Sequence, residues 1–230
     1  MSVIIEFNKQ EKQHLIKRWS KAKIVGDGAE SICYQIDDYV YKVLNNNFNT
    51  SYDENSLYND EIDLKSFLFP EEIYVSNNKI FASKTKYIPN EISERKIYAG
   101  ILTNIVKIKN ALIPFIKDIY KLSKNNILAI DMAWRNLIFD GESLYAIDTM
   151  HYVKNEEQYK IDAYKWNISY LEKAMFEFST SYEKVCKTKN ITLSEEELKS
   201  LREIPSYIKR ISKQIKNENK DKKTQNIKRA

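Results

Sequence analysis

Residues 127–152 read ILAIDMAWRNLIFDGESLYAIDTMHY, two short strand patterns around the turn Asp140-Gly141-Glu142-Ser143. With that turn as the loop of a hairpin, Phe139 faces Leu144 and Asn136 falls opposite Ile147. Asp148 is then beside Asn136 at the open end of the ribbon, and Asp131, on the irregular stretch just before, hangs over the same end. Three oxygen-bearing side chains thus converge without any long-range folding assumption. An Asp carboxylate with an Asn carbonyl is the hard-oxygen set that Mg²⁺ accepts, with water and phosphate oxygens completing the octahedron. A further carboxylate beside them is placed to take a hydroxyl proton.

Upstream, the segment KIVGDGAESICYQIDDYVYKVL reads as a three-stranded meander turned at Gly26-Asp27-Gly28 and at Asp37-Asp38. Two glycines so close together let backbone N–H groups approach phosphate oxygens. Lys42 alternates with Val40 and Leu44 on one strand face, where an unpaired ammonium is costly unless a carboxylate or phosphate meets it. A helix expected over Asp53–Leu68 carries Glu61 on its Leu57/Leu64/Leu68 stripe. Two misplaced charges of opposite sign on consecutive elements explain each other; Glu54 is a second candidate for the lysine's partner.

These parts, in this order, resemble the protein-kinase superfamily. IDMAWRN followed by YAID is similar to the kinase catalytic loop, D-x-x-x-x-N, followed by the metal-binding Asp after one hairpin. The resemblance makes Asp131 the catalytic base, Asn136 a metal ligand and Asp148 the principal metal ligand. It makes Gly26, Gly28 and Ser31 a glycine-rich loop with Ser in its third place. Lys42 with Glu61 becomes the pair that positions ATP phosphates, and Lys86, Tyr87 and Ile88 the hinge against adenine. Mg²⁺ (or Mn²⁺) and ATP are the implied cofactors. The chain departs from the pattern at Ala129 and Ile130, where the catalytic loop has His and Arg, and at Thr149 and Met150, where many kinases have Phe and Gly. No A-P-E-like segment follows. The likeness is therefore nearer to the compact bacterial phosphotransferases related to aminoglycoside and choline kinases.

Around this centre, Asn8–Ser20 reads as a helix with Leu15, Ile16 and Trp19 on one stripe, and residues 72–75 and 79–82 as a hairpin turned by Asn77-Asn78. A long helix is expected over Ile101–Ser123 with a bend near Pro114. Two more are expected over Glu156–Thr188 and Ser194–Ile215, the last with a Ser194/Glu197 capping box. The fold class is α+β and bilobal. A small antiparallel five-stranded N-lobe with its helices spans 1–89, a mainly helical C-lobe 90–218, and a basic tail 219–230. The overall charge of +5 is a property of that end: from Tyr207 onward nine Lys and Arg stand against Glu218 and Asp221.

Two distant cysteines, Cys33 and Cys186, offer neither a disulfide framework nor metal-ligand spacing, so a reducing cytoplasm is expected. The opening MSVIIEFNKQEKQ has no signal-peptide pattern, and no run is long enough to span a bilayer. The expected activity is Mg-ATP-dependent transfer of a γ-phosphate to a hydroxyl, on a protein in preference to a small molecule. The competing expectation is a nucleotide-binding module without turnover. No membrane partner is expected, and nucleic acid only weakly, through the basic tail.

Overall fold

The computed structural model describes residues 2–45, 64–155 and 161–227, with backbone alone over 220–227. The expected loop and most of the helix over Asp53–Leu68, including Glu54 and Glu61, lie outside the described residues. The chain divides into two compact units, Met1–Ile62 with Leu68–Ile88, and Asp63–Phe67 with Pro89–Ala230.

In the first unit, Val3–Glu6 (β1) precedes a helix over Lys9–Trp19 (α1). The helix starts where Asn8 accepts from the N–H groups of Gln10 and Glu11 while Glu11 reaches back to the Asn8 N–H. The meander follows as Lys23–Asp27 (β2), Ser31–Ile36 (β3) and Tyr39–Leu44 (β4), and the hairpin as Glu72–Ser76 (β5) and Lys79–Lys86 (β6). Asn77 and Asn78 both take left-handed backbone (φ 53° and 57°), the conformation that a two-residue hairpin turn demands. The sheet order is β1-β5-β6-β4-β3-β2. That is six strands where five were expected. β1 pairs in parallel with β5, and its short VIIE run carries no turn signal of its own to mark it as a strand.

The core of this unit lies on one face of the sheet. Trp19, 1% exposed, packs its indole 4.8 Å from the Tyr41 ring and 5.2 Å from that of Tyr74, with Tyr34, Val43 and Phe81 around it. The Leu15/Ile16/Trp19 stripe read from the sequence is what α1 buries there.

In the second unit, Glu94–Ala99 (α2) ends at Gly100, whose φ of 82° suits glycine, and Ile105–Lys124 (α3) begins at an Asn104 cap. One helix from Ile101 was expected. It begins instead at Ile105, where the Asn104 side chain accepts from the Val106 and Lys107 N–H groups, and the short α2 ahead of Gly100 was not expected. Pro114 sits within α3, on its exposed side. Ile127–Leu128 (β7) pairs antiparallel with Val153–Lys154 (β10), and Leu137–Phe139 (β8) with Leu144–Ala146 (β9). Ala163–Lys189 (α4) and Glu195–Ile227 (α5) complete the unit, the latter opened by the Ser194/Glu197 box.

Helices α3, α4 and α5 bury Leu112, Phe115, Ile119, Leu171, Phe178 and Ile204 almost completely. The residues Leu64–Leu68, expected to end a helix, form a turn and a bridge from Phe67 to Ala146 instead. Packing decides this: the Phe67 ring stacks 5.2 Å from Phe115, and the Ser66 N–H donates to the buried Asp118 carboxylate at 2.9 Å. Burial of a large ring and a charged acceptor outweighs the local helical pattern.

Trp19→Ala is expected to lower unfolding free energy by about 3–5 kcal/mol, as other large-to-small aromatic truncations do. Urea denaturation followed by far-UV circular dichroism checks this.

Candidate functional site

The catalytic-loop likeness starts from a strand end that α4 holds in place. Asn167, fully buried on α4, accepts the Ala129 N–H at 2.7 Å and donates to the Ile127 carbonyl at 2.8 Å and the Ser123 hydroxyl at 3.0 Å. Two of these three bonds fix residues 127–129, just before Asp131, and the third ties the same side chain to the end of α3. With Ala129 and Ile130 where the catalytic loop of kinases has His and Arg, the strand end leading into this loop is held by a helix further along the chain. The signal was present in the sequence as a polar residue on the apolar stripe of Tyr164, Ile168 and Leu171.

From there the loop closes on itself. Ala133 N–H donates to the Asp131 carbonyl at 2.8 Å, and Asn136 N–H to the Ala133 carbonyl at 2.9 Å. The Asn136 amide group donates to the Asp131 carbonyl at 2.9 Å and to its carboxylate at 3.3 Å. With both donors turned toward Asp131, the Asn136 side-chain oxygen points its lone pairs elsewhere. Arg135 adds a guanidinium 3.2 Å from the Asp131 carboxylate, with the two side chains 63% and 45% exposed. At that exposure the pair orients the carboxylate more than it stabilises the fold. Trp134 turns its ring to Phe178 of α4 at 6.0 Å, edge-on.

The hairpin before Asp148 has the register read from the sequence. Phe139 pairs with Leu144, and Ile147 N–H donates to the Asn136 carbonyl at 2.9 Å. The next residue, Asp148, takes left-handed backbone at φ 60°, as does Asp131 at 59°. Outside glycine such backbone is tolerated mainly by Asp and Asn, whose short polar side chains bond locally. Tyr152 is 4% exposed. Burial first, then the negative charges of Asp148 and Asp131, push its hydroxyl well above the ordinary tyrosine range. His151 Nε2 stands 3.9 Å from the Asp148 carboxylate.

Among the described residues no three His, Cys, Asp or Glu side chains gather as a metal-binding group. A divalent ion here would rest on Asp148 and the free-facing oxygen of Asn136, with non-protein oxygens making up the rest. That sparse, oxygen-only set fits Mg²⁺, which is commonly bound through one or two carboxylates plus phosphate.

The turn of the hairpin is built by Asp140, which accepts from the N–H groups of Glu142 (3.0 Å) and Ser143 (2.7 Å) and from the Tyr145 hydroxyl (3.1 Å). Burial works against its charge, but those donors hold its carboxyl below the ordinary range. Gly141, at φ 102°, has the Glu91 carboxylate 3.3 Å from where a Cβ would stand.

The remaining expected residues lie in the first unit. Tyr41 and Val43 face Trp19, so Lys42 is on the opposite face of the sheet, half-buried. Its cross-strand neighbours are Cys33 and Ser83, and Cys33 in turn sits opposite Gly26. A Cβ on Gly26 would come 3.3 Å from that of Cys33. The lysine therefore rises from a row of small residues. Neither Gly26 nor Gly28 has positive φ, so their value is a missing side chain and not an unusual backbone. The Gly28 N–H closes the turn by donating to the Ser31 carbonyl at 3.0 Å. Lys86 ends β6 opposite Tyr39, and Tyr87 N–H is taken by the Asp38 carbonyl at 2.7 Å. Of the expected adenine donors, the Tyr87 amide is thus already used. Glu61 lies outside the described residues.

No protein-family model matches the chain, and no curated protein matches it. Solved structures do. The autoinhibited serine kinase domain of the giant muscle protein titin superposes with a TM-score of 0.52 at 14% identity, over 80% of this chain and 65% of that one. The chain thus spans less than two thirds of that structure's length. At this identity the likeness establishes the fold, which is α+β and protein-kinase-like. No helix among the described residues is long and apolar enough to cross a membrane.

Asn167→Ala leaves the Ala129 N–H and Ile127 carbonyl buried without partners. A loss of about 2–4 kcal/mol is expected in chemical denaturation, on the order of one to two stranded polar groups. Asp140→Asn should lower the melting temperature at pH 7. Because the folded carboxyl titrates below its unfolded value, the stability it adds is present above that value and lost as pH falls, so the deficit should shrink below about pH 4. Melting curves at pH 7 and about pH 3 check this.

Proposed function

We propose that the chain is a phosphotransferase that uses Mg-ATP and moves the γ-phosphate to a hydroxyl acceptor. The observation that carries the reading is the second-unit constellation. Asp131 is oriented by Asn136 and Arg135, and Asp148 stands at the same hairpin end with Asn136 turning its oxygen outward. Asn136 and Asp148 would hold the metal ion, which supplies charge neutralisation on phosphate oxygens. Lys42 would meet the phosphates from the first unit, positioned by Glu61. Gly26, Gly28 and Ser31 would lie along them, and the connector at Lys86, Tyr87 and Ile88 against adenine, through Ile88 N–H now that Tyr87 N–H is used.

In the reaction the acceptor oxygen bonds to the γ-phosphorus as the bond to the β,γ-bridging oxygen breaks, and Asp131 takes the acceptor's proton. The work is positioning and electrostatics, for which a rigidly hydrogen-bonded carboxylate is suited. Exposure of Asp131 and Arg135 leaves the acceptor side open, which suits a hydroxyl on a protein chain before one on a small molecule.

Ala129 and Ile130 in place of His and Arg, and Thr149-Met150 after Asp148, favour a second reading, a nucleotide-binding module without turnover.

Thermal melting with excess Mg-ATP is expected to stabilise the wild-type protein, by about 2–3 kcal/mol when ligand is a hundredfold above its Kd. Asp148→Asn should abolish the metal-dependent part. Absence of any shift in the wild type counts against both readings. Incubation with γ-labelled ATP separates them: label on the protein, on an added protein or on a small hydroxyl compound, and lost in Asp131→Ala, marks turnover. Melting shifts without label mark the module.

A further inference from the structure

The Lys42 face of the first-unit sheet carries a further row of side chains beside that of Cys33, Lys42 and Ser83. Gln35 on β3 stands opposite Val40 on β4, and Val40 opposite Thr85 on β6. Alternation puts these three on the same face as Lys42, one step nearer the end of β6 that leads into Lys86, Tyr87 and Ile88. Tyr34 and Ile36, on either side of Gln35 in the strand, pack with Trp19 on the opposite face. Gln35 is thus turned away from that core.

The Gln35 side chain is half-buried and unevenly satisfied. Its amide nitrogen donates to the Asp37 carbonyl at 3.5 Å, the outer limit of a hydrogen bond. Its amide oxygen is buried and, among the described residues, accepts from nothing. Exchanging the two amide atoms would set oxygen against the Asp37 carbonyl, so the buried atom is the acceptor. A buried acceptor without a donor costs folding free energy, and a β-branched residue would fill the same strand position without that cost. The Asp37-Asp38 turn that holds the nitrogen also receives the Tyr87 N–H, through the Asp38 carbonyl at 2.7 Å. The unmet oxygen and the connector therefore share one corner of the sheet.

We infer that Gln35 selects the base of the nucleotide, its side-chain oxygen accepting a hydrogen bond from the exocyclic amino group of adenine. The inference rests on the Mg-ATP reading, in which phosphates meet Lys42 and the base lies toward the connector; the row of Gln35 and Val40 stands between the two. With the Tyr87 N–H committed to Asp38, a side chain takes over part of the reading that the connector backbone cannot perform. The weak hold at Asp37 lets the carboxamide turn outward about its terminal torsion, which has no steep wells. Adenine presents a donor to it. Guanine carries a carbonyl at the same ring position and would set acceptor against acceptor. Such a mismatch is penalised because the protein's own polar group is left unpaired.

Titration with Mg-ATP and with Mg-GTP, together with thermal melting, tests this on the wild type and on Gln35→Met, which keeps the length of the side chain and removes the acceptor. The wild type is expected to bind ATP about ten- to a hundredfold more tightly than GTP, and Gln35→Met to bring the two within about threefold. Without nucleotide the methionine variant should melt about 2–4 °C higher, because the stranded oxygen is gone. A merely structural glutamine would change the melting temperature and leave the ratio alone. Gln35→Glu, which retains an acceptor, should keep the preference for ATP, and it serves if Gln35→Met does not fold. Equal binding of the two nucleotides by the wild type, a ratio unchanged in folded Gln35→Met, or a preference lost in folded Gln35→Glu would each overturn the inference and leave the Mg-ATP reading in place. No binding of either nucleotide by the wild type overturns that reading and the inference with it.

Discussion

A single buried amide holds the second unit's chemistry in register. Asn167 accepts from Ala129 and donates to Ile127 and Ser123, so one side chain on α4 fixes the end of α3 and the strand that leads to Asp131. Leaving such donors and acceptors unmet in an apolar interior is costly, which makes the arrangement close to all-or-none. The loop that follows needs this anchor because its own contacts are local: Asn136 bonds back to Asp131, and Arg135 lies over the same carboxylate. A floating strand end would carry the whole constellation with it.

Much of the fold was legible because it is written in short-range terms. The Asn77-Asn78 turn, the Asn8 capping box and the Asp140 turn each rest on a few neighbouring residues, and each forms as its sequence dictates. The register that sets Asn136 opposite Ile147 was readable for the same reason, since one tight turn fixes it. What escaped depends on distant partners. β1 is a strand only because β5 is there to pair with it, and Leu64–Leu68 abandon their helical pattern because Phe67 and Ser66 find Phe115 and Asp118. Asn167 escaped as well, because its task becomes visible only once α4 lies against β7.

The two halves of the proposed chemistry are prepared differently. In the second unit the Asp131 carboxylate is held by hydrogen bonds, and Asp131 and Asp148 both sit on backbone that only a few residue types tolerate. In the first, Lys42 is prepared by its surroundings: Gly26, Cys33 and Ser83 keep the sheet surface beside it low, while the other face is taken up by Trp19 and the tyrosines. A bulky aliphatic at any of the three would fill the space over the ammonium without touching a charge.

The parallel pairing of β1 with β5 sets an order on biogenesis. Val3 meets Glu72 and Glu6 meets Val75, so β1, made well before β5, lacks that neighbour until the hairpin at Asn77-Asn78 has emerged. Closing so long a loop is slow compared with forming α1 or the β2–β4 meander, which pair within their own neighbourhoods. Until then the VIIE edge is an open hydrogen-bonding ribbon, a target for wrong partners during translation. Glu6 at the end of the strand and the charged start of α1 act as gatekeepers for the nascent segment through that interval.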